Sequence, residues 1–498
     1  MSELPTYIDG YGPVHAFAGA VSSLIPPNSP RTRVETQLAT GLAEAIRVSG
    51  LQSGATISFH HHLRNGDDVM RQVLAVCQDL GIGDLHIAPS SLFPCHASLI
   101  PFVEDGTVTR ITTSYMNGPL ADAVKAGKLR DPAVLQTHGG RAYAIESGRL
   151  PIDVAFVAAP AVDRAGNLTG AIGPQASGPL GYAMVDAAHA GHVIAVTDFV
   201  TDALPRICIP AAQVDQVVEV DSIGSASEIV SGTTGRPPST KGKVIADLTA
   251  RLIAASGLLK DGFSFQTGAG ATSLAVARAL APVMMERGIA GGFCAGGVTG
   301  PLVEMHRAGL FQEIWDVQAF DLEAVQSFGK DLMHHAMSAA LYASPARKEA
   351  IANRLDVMIL GAAEVDGAFN VNVTQASDGR IIGGSGGHAD TAAGARLPIV
   401  TTTLTAGGFP KLVTDLTCLT TPGDTIGAVV TEVGIAVHPS HPDVKDKALK
   451  AGLPVVEIEE LIRQAQAACE GVHHSRDSGR IVAVCEYRDG SVLDVIRA

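Results

Sequence analysis

The chain has 498 residues, with 36 Lys and Arg against 50 Asp and Glu, so a formal net charge of −14 gives it no general attraction for phosphate backbones or anionic lipid surfaces. Nucleic acid and membrane are therefore excluded as expected partners. Apolar residues make up 46%, aromatics only 4%, and 54 residues are glycine, a profile suited to helices packed closely on a sheet and to sites lined by backbone.

In chain order, residues 1–34 hold five prolines and read as an irregular arm. No basic stretch leads into an apolar one near the N-terminus, and no run approaches about 18 apolar residues, so a soluble, cytoplasmic protein is expected. Residues 35–230 form a first domain. There the β-branched runs Ala55–Phe59, Val154–Val157 and His192–Val196 predict strands, and Asp67 to Leu80 predicts a helix. Residues 231–242 have the composition of a linker. Residues 243–498 form a second domain, with a helix expected from Ser273 to Arg287 and Thr272 or Ser273 as its N-cap. Strands bounded by glycine and followed by helices imply right-handed βαβ units and a mostly parallel sheet in each domain. The seven cysteines show no C-x-x-C spacing and read as small buried hydrophobes rather than disulfide partners or zinc ligands.

The two domains look alike. Gly50-Leu-Gln-Ser-Gly54 leads into Ser58-Phe59, and Gly257-Leu-Leu-Lys-Asp-Gly262 leads into Ser264-Phe265, 206 positions on. Residues 152–167 match residues 355–370, pairing Asp153 with Asp356, Asp163 with Asp366 and Asn167 with Asn370 at a spacing of 203. Between these blocks, Gly81-Ile82 and Gly106 find counterparts in Gly288-Ile289 and Gly309. The predicted fold is α/β: two duplicated, open, mostly parallel-sheet domains facing each other across a cleft, which is where such sheets bind ligands.

A duplicated scaffold supplies an internal comparison. At the spacing of 206, His60-His61-His62-Leu63-Arg64 stands where the second copy has Gln266-Thr267-Gly268-Ala269-Gly270. The glycine version offers backbone N–H groups to an acyl oxyanion, a phosphate or a pantetheine chain, or else makes a tight strand-to-helix turn. It lacks the third glycine of a dinucleotide fingerprint. Consecutive histidines at a strand end point in alternating directions and cannot all reach one ion, so an anion-receiving pocket or a solvated loop is favoured over a metal site. Within such a pocket His61, His62 and Arg64 are the candidate substrate ligands, and Arg64 suits a carboxylate because its guanidinium donates in a fork. Glu364, where the first copy has Ala161, could be an acid, base or nucleophile, or a loop-capping carboxylate. The segment Gly383-Gly-Ser-Gly-Gly-His-Ala-Asp390 is a second glycine-rich loop, with Gly384, Gly386, Gly387 and His388 as candidate cofactor contacts unless the loop is a flexible surface one. Asp366 and Asn370 are assigned to turn geometry shared with the other copy.

Taken together, Gln266–Ala271, Gly296-Gly-Val-Thr-Gly300, Leu302–Gly309, Gly361–Asp366, Phe369–Asn372, Gly383–Asp390 and Val430–Val437 resemble the CoA-transferase superfamily and, within it, the citrate lyase alpha-subunit family, from about residue 35 to the C-terminus. First-half support comes from Ser58–His62, Gly118–Ala121, His138-Gly-Gly-Arg141 and Gly181–Asp186. The resemblance implies exchange of a thioester-bound acetyl group for citrate on an acyl carrier protein. It also implies a lyase beta subunit and a gamma carrier subunit as partners, assembly as a homo-oligomer within that complex, and no tightly bound cofactor. CoA, or the carrier's CoA-like phosphoribosyl-dephospho-CoA arm, would be substrate. Many relatives use a glutamate that becomes a covalent CoA thioester. The corresponding stretch here, Asp316-Val-Gln-Ala-Phe-Asp321, has no glutamate, which favours direct transfer through a mixed anhydride. Gly268 and Gly270 are then the expected oxyanion donors, with Ala269 between them, and Glu364 an acid, base or positioning group. Two other readings are a stand-alone CoA-transferase or acyl-CoA hydrolase using another hydroxyacid such as citramalate, and a ligand sensor on the same scaffold. The sensor would call for a helix-turn-helix segment and a basic face that this sequence does not show.

Overall fold

A computed structural model describes residues 4–22, 24–32, 35–230, 237–469 and 478–498. The first part of the chain supplies β1 (Gln37–Ala39), β2 (Thr56–Phe59), β3 (Leu85–Pro89), β4 (Val108–Thr113), β5 (Ala133–Leu135), β6 (Val154–Ala158), β7 (His192–Thr197) and β8 (Gln216–Glu219). The second supplies β9 (Ser264–Thr267), β10 (Gly291–Val298), β11 (Phe311–Ala319), β12 (His334–Ala336), β13 (Val357–Gly361), β14 (Leu397–Thr401), β15 (Ala428–Val430) and β16 (Ile435–Val437), followed by a C-terminal hairpin of β17 (Ile481–Glu486) and β18 (Val492–Arg497). Strands β2, β6 and β9 are buried at every residue; β6 (Val-Ala-Phe-Val-Ala) is therefore a continuous apolar run, whereas β2 and β9 also bury the polar Ser58, Ser264, Gln266 and Thr267.

Two large sheets result. The order of one is β18-β17-β5-β4-β3-β2-β6-β7-β8-β1 and of the other β12-β11-β10-β9-β13-β14-β15-β16. The pairings are parallel except β17 with β18 and β15 with β16. The run β5-β4-β3-β2-β6-β7-β8 has the same order as β12-β11-β10-β9-β13-β14-β15, so the spacing read from sequence corresponds to equivalent strand positions. The paired residues also do the same work. Asp153 accepts from Thr56 N–H at 2.8 Å, and Asp356 from Ser264 N–H at 3.0 Å, each tying two neighbouring strands at their entry. Asp163 accepts from the Asn167 side chain at 2.8 Å, and Asn167 from Ala211 N–H at 2.8 Å; Asp366, Asn370 and Gly423 repeat this at 3.0 and 2.8 Å. These are turn-building contacts, as expected of an aspartate and asparagine four residues apart.

Several sequence boundaries need correction. The second domain does not run unbroken to residue 498, because β17 pairs parallel with β5 and carries the hairpin into the first sheet. Part of the N-terminal arm packs there too: Ile8 joins Val484, Val492 and Val495, and the Tyr11 hydroxyl donates to Glu486 at 2.8 Å. Of the linker, residues 231–236 lie outside the described residues, and α4 (Thr240–Ser256) already begins at Thr240, capped by the Ser239 hydroxyl. The remaining helices used below are α1 (Val69–Asp79), α2 (His138–Glu146), α3 (Gly181–His189), α5 (Ala271–Arg287) and α6 (His388–Gly394). Helix α5 starts two residues before the expected point, since Gly270, in extended geometry (φ −75°, ψ 149°), is the N-cap rather than Thr272 or Ser273. Among the described residues no helix is long and apolar enough to cross a membrane.

Candidate active site

A cavity of about 360 Å³ opens beyond the carboxyl ends of β2, β3, β4 and of β9, β11, β13, with walls from both sheets. The first part of the chain contributes His61, Arg64, Ser91, Phe93, Tyr115, His138 and Tyr182. The second contributes Gln266–Gly270, Gly297, Val317, Phe320, Tyr342, Gly361 and Gly384–His388, among others. Among the described residues lining it there is no aspartate or glutamate.

The turn after β2 is fixed atom by atom. His60 Nε2 accepts from Ala158 N–H at 2.9 Å, which leaves the ring proton on Nδ1, hydrogen-bonded to His62 Nδ1. Ser90 Oγ accepts from His61 N–H at 3.1 Å and lies 2.6 Å from its Nδ1, which fixes the ring. From the other sheet, Gln318 Nε2 donates to the carbonyl of His61 at 2.8 Å. His62 is buried but does not line the cavity, so of the predicted substrate ligands only His61 and Arg64 face it. Among the described residues no group of three or more His, Cys, Asp or Glu is placed to hold a metal ion.

Arg64 sits at φ 53°, a left-handed conformation unfavourable for a residue with a Cβ. Its guanidinium lies 4.7 Å from the Phe320 ring centroid and 5.3 Å from that of Phe93, one from each part of the chain. Burial draws its pKa down to about 10, still well above neutral, so a desolvated cation faces the cavity. Arg141 and Asp186 form a fully buried two-pronged pair at 2.9 and 3.0 Å that joins α2 to α3.

The glycine-rich segment 383–387 is not a flexible surface loop. Gly386 N–H donates to Ser114 O at 3.0 Å, His138 N–H to Gly386 O at 2.8 Å, and a Cβ on Gly387 would meet the Tyr342 hydroxyl at 2.5 Å. Close approach to the first part of the chain, as well as to the cavity, requires these glycines. Gly268 and Gly270 differ: a Cβ would meet nothing nearer than 3.4 Å at Gly268 and 3.9 Å at Gly270, and neither has a positive φ. Nothing in the protein demands glycine there, and the open side faces the cavity. His388 uses both nitrogens, Nε2 donating to Gly361 O at 2.9 Å and Nδ1 accepting from Thr421 Oγ1 at 2.8 Å, so it shapes the wall rather than offering a free polar atom. Asp390 is turned away, bound by Gly139 N–H, Thr137 and Arg488.

Glu364 is also outside the cavity, which corrects the expectation of an acid, base or nucleophile. Its carboxylate is fully buried and accepts from Asn372 Nδ2, Thr417 N–H, Thr417 Oγ1 and Ser377 Oγ at 2.8–2.9 Å. With both oxygens occupied it joins three loops. Glu364→Gln puts an N–H₂ group against donors, so we expect a stability loss of about 3 kcal/mol by denaturant titration, with kcat of the folded variant within about twofold of the parent.

Sequence reasoning missed His138, Tyr115, Tyr182, Gln266 and Tyr342. His138 Nδ1, Gln266 Oε1 and Thr267 Oγ1 are buried polar atoms lining the cavity without a hydrogen-bond partner among the described residues. The block His138-Gly-Gly-Arg141 was the available signal for the first of these.

Burial holds the site histidines neutral: His60 and His138 are pulled down to about 3, His388 to about 4, and His61 and His62 well below their ordinary value. Below the unfolded value of 6.5, the unfolded chain binds protons that these folded histidines refuse. Stability is therefore lost as pH falls from about 6.5 toward 3, by about 1.4 kcal/mol per pH unit for each group. His96 has the opposite sign. Burial alone would lower its pKa, but hydrogen bonds to Asp67 and Cys95 push it up to about 9, so its contribution is full below 6.5 and fades as pH rises through 9. Denaturation midpoints should thus fall steeply between pH 6 and 4, with uptake of more than two protons on unfolding; a flat profile there would contradict neutral histidines.

Two mostly parallel sheets, with glycine loops and the buried Arg64 around a cavity that has no carboxylate among its described lining residues, fit the CoA-transferase-like class. The family model described as "Citrate lyase, alpha subunit (CitF)" matches residues 35–498. The chain is 42% identical to the citrate lyase alpha chain of Escherichia coli (strain K12), over 94% of this chain and 93% of that protein, and 40% identical to that of Haemophilus influenzae, over 94% and 93%. A crystal structure assigned to the alpha subunit of citrate lyase from Streptococcus mutans, in complex with citrate, superposes with a TM-score of 0.94 at 40% identity, over 99% of this chain and 98% of that one. A malonate decarboxylase alpha subunit from Acinetobacter baumannii shares the fold at a TM-score of 0.63 and 17% identity. The chain belongs to the citrate lyase alpha-subunit family, the CoA-transferase component of a multi-subunit citrate lyase. That membership sets aside the sensor reading.

Proposed function

We propose that the protein exchanges acetyl for citryl on the thioester of an acyl carrier protein, converting acetyl-carrier and citrate into citryl-carrier and acetate, by direct transfer. A citrate carboxylate oxygen attacks the acetyl carbonyl and the C–S bond breaks, giving an acetyl-citryl anhydride and the carrier thiolate. The thiolate then attacks the citryl carbonyl and acetate leaves. The observation that carries this reading is a cavity lined by a desolvated cation, Arg64, and by the open backbone of Gly268–Gly270, with no carboxylate among its described lining residues. Arg64 and the His61 ring would receive citrate, the ligand found in the Streptococcus relative. Gly268 N–H is already given to Ile359 O at 2.8 Å, which corrects its expected role as an oxyanion donor, so the N–H groups of Ala269 and Gly270 would stabilise the oxyanion of each addition step. The arm's amides would engage Gln266 Oε1 and Thr267 Oγ1, while Gly384, Gly386, Gly387 and His388 form the facing wall.

Asp316, Gln318 and Asp321 support direct transfer. Asp316 is paired with His334 at 3.1 Å, Gln318 holds the His61 turn, and Asp321 caps the helix Leu322–Lys330, so the stretch where relatives keep a covalent glutamate presents only Val317 and Phe320 to the cavity. The two sheets are inferred to be copies of one unit facing across the cavity, as their common strand order and repeated Asp–Asn turns suggest. Partners are the lyase beta subunit and the gamma carrier subunit, in a cytoplasmic complex built on homo-oligomers of this chain; no resident cofactor is needed beyond the carrier's CoA-like arm. The test is incorporation of labelled acetate into acetyl-CoA or acetyl-carrier by the purified protein. Incorporation that requires citrate supports the assignment, a protein-bound CoA ester found by intact mass after incubation with acetyl-CoA alone would show a covalent enzyme intermediate, and no incorporation with or without citrate would remove the assignment.

A further inference from the structure

A second cavity, of about 320 Å³, lies beside the first and shares no lining residue with it. The two are neighbours along the same segments: Gly361 and Gly384 line the active-site cavity, whereas Ala363 and Ile382 line this one. Its floor carries Lys411, held by its backbone between Leu404 O and Val365 N–H at 2.8 Å each. Among the described residues no hydrogen bond or ion pair reaches the Lys411 amine. The charged groups around it are already engaged. Glu364 accepts its four hydrogen bonds, Glu432 is bound by Lys241 at 2.8 Å and Leu404 N–H at 3.1 Å, and Arg380 is forked onto Asp378 at 2.9 Å. We propose that Lys411 is a site of covalent Nε-acetylation by acetyl thioesters, seated in this second cavity.

The step balances without a further reactant. The neutral amine's lone pair forms a bond to the thioester carbonyl carbon, the C–S bond breaks, and the departing thiolate takes the proton that nitrogen loses. Burial favours the reactive form, drawing the amine down to about 8 against the opposing pull of Glu364 and Glu432. At pH 8 about half of such an amine is free base, against under 1% for an ordinary lysine of pKa about 10.4. Allowing about tenfold for the lower nucleophilicity of the weaker base, by analogy with thiols, an advantage of about tenfold remains.

The test uses the purified full chain with acetyl-CoA alone, so it does not depend on citrate being the acceptor in the reading above. Acetylation is mapped by peptide mass spectrometry at pH 6.5 to 10. The expected result is Lys411 modified about tenfold faster at pH 8 than the exposed Lys243 and Lys260, with a rate that levels off above pH 8 while theirs keep rising. Lys411→Arg should lose that mark and leave theirs unchanged. Modification of Lys243 and Lys260 with Lys411 untouched, or one common pH profile for all three, would overturn the proposal.

Discussion

Replacing Arg64 by alanine is expected to lower citrate-dependent turnover by about 100-fold or more while leaving acetyl-CoA binding within about twofold, since losing a desolvated charge pair to a ligand costs about 2–5 kcal/mol. The cation sits between Phe93 and Phe320, so its position is set by one ring from each part of the chain. A substrate carboxylate in that space would meet a donor already stripped of water, where each hydrogen bond to it is stronger than at a surface. Backbone strain does not complicate the comparison, because arginine and alanine both carry a Cβ at the φ of 53°. Arg64→Lys separates charge from shape. The ammonium keeps the charge but not the fork, and an intermediate loss of about tenfold in kcat/KM for citrate is expected. Steady-state kinetics varying citrate and acetyl-CoA separately decide the matter: equal losses toward both substrates would move Arg64 from citrate binding to general support of the cavity.

Much of the fold was legible because the chain contains its own control. A pattern repeated at a spacing of 203 to 207 residues predicts like strands at like places, and the paired aspartates and asparagines make the same turn contacts. The first-half turn at His60–Arg64 and its glycine counterpart at 266–270 stood out for the same reason, and both reach the cavity. Residues without such a contrast were missed. Tyr115, His138, Tyr182 and Tyr342 come from different elements and meet only when the sheets pack, so no local spacing marks them as a group. Glu364 misled for a related reason. A carboxylate just past an apolar strand has the sequence signature of a catalytic acid, but the donors that occupy it, Ser377 and Thr417, lie 13 and 53 residues away. The C-terminal hairpin shows the limit of periodicity itself, which gives a strand its faces but not its neighbour. Nothing in Ile481–Glu486 says that it pairs with Ala133–Leu135 rather than with the sheet it follows.

Gly270→Ser is expected to change stability and turnover in opposite directions. Gly270 is the N-cap of α5 and makes no side-chain capping bond. Its φ of −75° and ψ of 149° are those in which serine caps helices well, and the nearest atom to an added Cβ, Ser273 Oγ, is 3.9 Å away. A serine hydroxyl there can accept from a backbone N–H in the first turn, and the gain over glycine is a few tenths of a kcal/mol. The melting temperature should therefore hold or rise slightly. The side chain must nonetheless occupy the open face of Gly268–Gly270 where the reacting thioester is proposed to lie against backbone. A displacement of about 1 Å in an acyl-transfer geometry costs about 100-fold, so kcat should fall by at least tenfold. An unchanged melting temperature with unchanged kcat would mean that the thioester does not approach this loop, and the oxyanion site would then have to be sought at the facing glycines, Gly384 to Gly387.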